Sequence, residues 1–151
     1  MIGIAQRVTS ASVLVADAVV ARIGPGLVVL VGVTHGDTVD DARALGAKVA
    51  GLRVFGDERG HMNRSVGQIG GQVLVVSQFT LLADVRRGRR PSFVDAAAPD
   101  VAAPLIEEVR LAIAAQGVPV STGVFGAHMT VELVNDGPVT LLLRTESGRI
   151  V

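Results

Sequence analysis

The sequence predicts an α+β domain in which a largely antiparallel, barrel-like β-sheet is covered by two helices. Three observations carry this reading. Short runs rich in valine, isoleucine and leucine recur along the chain between turn-forming residues, as strands do. Only two stretches, far apart, carry apolar residues at helical spacing. Most of the runs are joined by hairpin-like links, which favours antiparallel pairing with separate helices packed on top. At 151 residues the chain reads as one domain, 1–151, long enough to bury a full core.

Ile2–Val8 and Ser12–Val15 read as strands, and Val19–Ile23 as a third. Gly24-Pro25-Gly26 turns the chain into Leu27–Val33, apolar enough to be buried on both faces. Thr38, with Asp41 three residues on, has the pattern of a capping box. Ala42, Leu45, Val49 and Leu52 then share one helical face, and Gly56 is expected to stop that helix. "GDERGHMN" (56–63) reads as a polar loop, and Val73–Thr80 as the next strand. Pro99 and Asp100 open a second helix that turns Leu105, Ile106, Val109, Ala112 and Ile113 inward and closes at Gly117. Met129–Val134 and Val139–Arg144 complete the chain as strands. Between them lies "VNDGPVT" (134–140), whose Asp-Gly is a hairpin signal. The proline after it cannot donate to a ladder and keeps its predecessor extended. These residues alone leave two readings open: a turn, or stiff backbone placed to touch something.

Hydrophobic residues make up 49% of the chain and charged residues 19%, which marks a globular protein. With no cysteine, disulfide and thiolate chemistry are excluded. Ser65–Ala83 and Leu111–Val131 lack charge, but Gly, Gln, Ser, Thr or Pro interrupts each, so neither reads as a membrane span. The opening "MIGIAQRV" has no signal-peptide layout, and a cytoplasmic protein is expected. Net charge is zero, so no global field advertises nucleic acid. Locally, Arg86-Arg87-Gly88-Arg89-Arg90 gathers four guanidiniums, whose planar forks suit phosphate. Taken alone, the run reads as a solvated loop.

Familiar catalytic motifs are missing: no G-x-S-x-G, no G-x-x-x-x-G-K and no G-x-G-x-x-G. His35, His61 and His128 show no metal-ligand spacing, so neither metal nor cofactor is expected. What remains is "VVSQFTL" (75–81). Strand alternation would put Gln78 and Thr80 on one face and Ser77 and Phe79 on the other. Taken alone, this is a strand running out into its loop. As a site, it offers hydroxyl, amide and backbone N–H groups to an ester or amide carbonyl whose oxygen gains charge during hydrolysis.

"SQFTL" (77–81), "RRGRRPSF" (86–93), "GVFGAHM" (123–129) and "NDGPVT" (135–140) occur in an order and spacing that closely resemble the bacterial D-aminoacyl-tRNA deacylases. "QRV" (6–8), "GPGL" (24–27) and "MNRSV" (62–66) extend the likeness over the whole chain. Leu82, Val124 and His128 depart from the common pattern, outside the signature residues. The resemblance implies a homodimer that hydrolyses the ester between a D-amino acid, or glycine, and the terminal adenosine of tRNA, without metal or organic cofactor. It implies that Ser77, Gln78, Phe79 and Thr80 line the aminoacyl pocket. Gly137 and Pro138, joined by a cis bond, would enter the pocket of the partner subunit, where their carbonyls exclude L-amino acids. Arg86, Arg87, Arg89 and Arg90 follow the pocket segment, and their charge makes them candidate contacts for the tRNA acceptor end. The expected partners are a second copy of the chain and aminoacyl-tRNA, with no DNA and no membrane. Thr80 could act as nucleophile, yet no neighbouring base is visible to activate it. The favoured chemistry has the ribose 2′-hydroxyl activate water while the Phe79 N–H stabilises the oxyanion. Two rivals are a nucleic-acid-binding module without hydrolysis and a side-chain-selective editing domain on the same fold.

Overall fold

The computed structural model describes residues 1–151. Its strands are β1 (Ile2–Val15), β2 (Ala18–Ile23), β3 (Gly26–Gly32), β4 (Phe55–Gly56), β5 (Met62–Arg64), β6 (Gln72–Ser77), β7 (Val120–Thr122), β8 (Thr130–Glu146) and β9 (Arg149–Ile150). Two helices, α1 (Val39–Gly51) and α2 (Pro99–Ala114), and a 3-10 turn over Phe79–Leu82 complete it. The main sheet runs β7-β6-β3-β1-β8-β9, with β2 also paired to β1. The two strands expected over residues 2–15 are one. Its first half, Ile2–Val8, pairs with β3, and its second half, Ala11–Val15, pairs with β2, while β8 follows it along the other edge. This change of partner curls the sheet into a half-barrel.

The sheet is mixed, which corrects the expectation of a largely antiparallel one. β1 pairs antiparallel with β2, β3 and β8, but β6 runs parallel to both β3 and β7. The cause is the placement of the helices. α1 lies between β3 and β6, and α2 between β6 and β7, so each carries the chain back to the end where the previous strand began. Such a crossover joins parallel neighbours.

Strands buried on both faces divide their residues between two cores. In β3 and β6, Leu27, Val29, Val31, Val73 and Val75 face the helices, where Leu45 and Val49 of α1 and Val109 and Ile113 of α2 meet them. Val28, Leu74 and Val76 face the other way, into the hollow of the curl, with Val8, Val13 and Ile23. The helices cross closely at Gly46, where an added methyl would stand 2.6 Å from Ala112 Cβ and 2.7 Å from the Val109 carbonyl. α1 stops at Gly51 rather than at Gly56, because Leu52 is already extended and Val54 and Phe55 turn back into the core. Gly56 instead belongs to β4, which with β5 makes a small hairpin of the segment expected to be a polar loop.

Thr38 caps α1 as expected. Asp41 takes the Thr38 amide at 2.9 Å and its hydroxyl at 2.8 Å, and the Gly148 amide at 2.9 Å. Burial alone would raise the Asp41 pKa, but these donors and the nearby N-terminal charge outweigh it and hold the carboxyl below its ordinary value. The chain's first amine, buried beside it, pairs with Asp37 at 2.5 Å.

Candidate active site

Parallel strands point their carboxyl ends the same way, and the space beyond those ends is where an open sheet offers a ligand room. Here β3, β6 and β7 all end around one cavity of about 610 Å³. Val31 and Val33 close its floor, Ala102 and Ile106 of α2 form one wall, and the 125–129 segment after β7 forms another. Of its 19 lining residues 14 are hydrophobic, so the few polar groups present must orient whatever enters.

Ser77 and Gln78 supply two of those groups. β6 is anchored there by the Gln78 amide, which donates to the Val31 carbonyl at 2.7 Å. The strand ends at Ser77 and not at Thr80, because Gln78 breaks the extended path (φ −146°, ψ 80°) and residues 79–82 coil into the 3-10 turn. The expected alternation therefore fails: Ser77, Gln78 and Phe79 all line the same cavity. Thr80 lies outside the lining but is tied to it, since the Gln78 side-chain amide donates to the Thr80 hydroxyl. The Phe79 and Thr80 amides open the 3-10 turn and have no carbonyl within it to bond. Phe79 is 57% exposed, and its ring meets Phe93 edge-on, with centroids 5.0 Å apart.

Residues 84–92, between those two phenylalanines, form a hairpin. Asp84 and Ser92 exchange both backbone bonds, at 2.8 and 2.9 Å. The Asp84 carboxylate also accepts from the Arg86 amide and grips the Arg86 guanidinium through Nε and Nη2, at 2.9 and 2.8 Å. That side-chain bond is the main reason the Asp84 carboxyl falls from 3.8 to about 2. Arg87, Arg89 and Arg90 make no ion pair. The arginine run thus lies in the hairpin between the cavity-lining Phe79 and Phe93, and Arg86 stands apart from the other three.

Gly137 and Pro138 are joined by a cis peptide bond and project, exposed, from β8. Neither lines the cavity of its own chain, so one chain by itself does not bring them to Ser77–Thr80. Two side chains hold the projection. Asn135 spans it, accepting from the Val139 amide at 2.8 Å and donating to the Val139 carbonyl at 3.3 Å. Arg7 reaches across from β1, bonding the Asp136 carbonyl at 2.9 Å, the Asp136 carboxylate at 3.2 Å and, through Nη1, the Val54 carbonyl. Val134 and Leu142, on either side of the projection, leave large apolar side chains 57% and 59% exposed.

Arg7, Asn135, Phe93 and Phe125 were not marked as site residues by the sequence. Arg7 looked like one polar residue in a strand, and only its bonds to Asp136 and Val54 give it a task. Phe93 and Phe125 carried a signal that went unused: the chain has four aromatic residues, all phenylalanine, and three of them line this cavity.

Known proteins share this sequence and fold. The sequence model of D-Tyr-tRNA(Tyr) deacylase matches residues 4–144. The chain is 58% identical over 143 residues to a D-aminoacyl-tRNA deacylase of Roseiflexus sp. (strain RS-1), across 95% of this chain and 92% of that one. It is 56% identical over 143 residues to that of Deinococcus radiodurans, across 95% and 99%. Among solved structures, the c-Myc DNA Unwinding Element Binding Protein superposes with a TM-score of 0.89 at 36% identity, over 97% of this chain and all of that one. A probable eukaryotic D-amino acid tRNA deacylase superposes with a TM-score of 0.79 at 20% identity, over 93% and 97%, a likeness of fold. The family model and these relatives place the half-barrel, with its cavity beyond the ends of parallel strands, among the hydrolases. The chain belongs to the D-aminoacyl-tRNA deacylase family and is an enzyme of that activity.

Proposed function

We propose that the enzyme works as a homodimer in which each Gly137–Pro138 projection enters the partner's cavity and selects D-aminoacyl and glycyl esters by excluding a side chain of L configuration. One observation carries this reading: the projection is braced by Arg7 and Asn135 yet does not line the cavity of its own chain. Rigid exposed backbone, flanked by exposed Val134 and Leu142, suits a surface that another copy completes. A gate made of backbone reads the geometry at Cα, common to all D-amino acids, and a glycyl ester has no Cβ to collide with it.

In the cavity, Ser77 and Gln78 orient the ester, and the Phe79 amide receives the oxyanion that forms as water adds to the carbonyl. The ribose 2′-hydroxyl next to the scissile bond orients or activates that water, and the ribose 3′ oxygen leaves with a proton. Thr80 holds Gln78 in place and does not attack. The hairpin that carries the arginine run at 86–90 meets the phosphates of the acceptor end. The setting is the cytoplasm, where tRNA is charged. No helix is long and apolar enough to cross a membrane.

The test is deacylation of matched D- and L-aminoacyl-tRNA and glycyl-tRNA, with the mass of the protein measured in solution. Turnover of the D and glycyl esters alone by a dimer is expected. Equal rates on D and L esters, or full selectivity in a monomer, would overturn the cross-subunit gate. A nucleic-acid-binding module without hydrolysis, one of the two rival readings, would bind all three substrates and release none.

A further inference from the structure

The four arginines of the 86–90 hairpin do not share one environment. Arg86 is held by Asp84 through a two-pronged ion pair, and the same carboxylate caps the Arg86 amide. Those contacts sit at the mouth of the loop, beside the Asp84–Ser92 backbone exchange that closes it. Arg87, Arg89 and Arg90 lie beyond this closure without an acidic neighbour, and Gly88 between them turns the tip at φ +69° with open space around it. Three like charges in four residues repel one another, and a free loop would relieve this by spreading. The closure denies it that freedom, so the charges are gathered before any ligand arrives.

We propose that Asp84 and Arg86 form a strut that takes no part in RNA contact, while Arg87, Arg89 and Arg90 are the phosphate-binding comb it holds up beside the cavity. This rests on the reading of the hairpin as the acceptor-end contact. Arg86 is then a positioning residue. Its guanidinium already has both prongs on carboxylate oxygens, so engaging a phosphate would require breaking a charge-assisted pair for one of similar kind. An arginine with no partner gives up only water and counterions.

The two roles separate in the salt dependence of binding, because each phosphate neutralised releases counterions and adds about 0.7–0.9 to the log–log slope. The probe is deacylated tRNA, titrated against the full-length protein at several salt concentrations. Arg87→Gln, Arg89→Gln and Arg90→Gln should each lower the slope by about that amount. Arg86→Gln should weaken binding severalfold at every salt concentration and leave the slope as it was. It should also speed amide hydrogen exchange at Arg86 and Ser92, which loss of a phosphate contact would not do. Asp84→Asn should reproduce the faster exchange without lowering the slope. The proposal is overturned if Arg86→Gln lowers the slope as much as Arg87→Gln does, or if none of the other three changes it. D-aminoacyl-tRNA turnover by the unaltered enzyme is measured alongside. Its absence would sink the deacylase mechanism, whereas normal turnover with unchanged slopes would sink the comb alone.

Discussion

The Arg7 guanidinium bonds both the main-chain carbonyl and the carboxylate of Asp136, at 2.9 and 3.2 Å, from β1, the strand paired with β8 on both sides of the projection. A third bond to the Val54 carbonyl fixes the other end of the same side chain. Arg7 is thus a tie between the body of the domain and the base of the Gly137–Pro138 projection, and it needs the fork of a guanidinium to be one.

Arg7→Lys keeps the charge and loses the fork. Hydrogen bonds to charged groups contribute about 1.5–3 kcal/mol each, so losing even one should lower the melting temperature by a few degrees. The larger effect should fall on selection. kcat/KM for D-aminoacyl-tRNA should drop about tenfold or more, since roughly 1.4 kcal/mol of lost positioning is a factor of ten in rate. A variant with a lower melting point and unaltered kcat/KM would show that Arg7 only stabilises the fold.

Gly137→Ala tests the projection directly. Gly137 has φ +146°, and a methyl there would stand 2.6 Å from the Val139 nitrogen and 2.8 Å from Val139 Cγ2. The backbone must shift, and the Asn135 clamp on Val139 must shift with it. The loop is exposed, so global unfolding should move by no more than about 1–2 kcal/mol. Turnover of D-aminoacyl-tRNA should fall at least tenfold. Unchanged turnover would mean that the loop touches no substrate.

Asp41 predicts the acid limb of stability. Its pKa is depressed in the fold below 3.8, with burial opposing and the Gly148 and Thr38 donors prevailing. The carboxylate's contribution is therefore complete above the unfolded value and is lost as pH falls from about 4 through the lower folded value. Asp41→Asn should cost about 1–3 kcal/mol at pH 7, because donors aimed at a carboxylate then meet an amide. In urea unfolding at pH 7, 4 and 3, the gap between the two proteins should narrow as the pH drops. A constant gap would show that the ionised form gains nothing from the fold.

The strands and helices were legible in the sequence wherever burial dictates the residue. Leu27–Val33 reads as doubly buried because it is, and Leu45 and Val49 mark the inner face of α1 in either view. Strand direction was not legible. A run of valines is the same run whichever way its neighbour points, and the direction of β6 is decided by α1 and α2, whose position between strands was visible but not weighed. The two signature segments could be located only by resemblance. From the residues, Gln78 and Thr80 were a polar strand end, and their actual relation depends on a backbone break at Gln78 that no side-chain alternation announces. Arg86 was indistinguishable from its three neighbours until Asp84, two residues before it, proved to hold it.

That relation between Gln78 and Thr80 decides how the chemistry should respond to mutation. The Thr80 hydroxyl accepts a hydrogen bond from the Gln78 side-chain amide, and an amide is no base at neutral pH. A hydroxyl nucleophile needs a base to take its proton. Thr80→Ala should accordingly loosen Gln78 and slow turnover by about 10–100-fold, the scale of one or two mispositioned hydrogen bonds, while leaving multiple turnovers measurable. If the substrate's own 2′-hydroxyl assists the water, replacing it by hydrogen on a tRNA charged at the 3′ oxygen should cost more, about 10²–10⁴-fold, the range of positioned proton-transfer groups. The two changes made together should not multiply fully, because both act on the orientation of one ester. Mass spectrometry of enzyme quenched during turnover should show no added aminoacyl mass. An acyl group trapped on Thr80, or a Thr80→Ala enzyme no faster than free solution, would make Thr80 the nucleophile and the RNA a bystander.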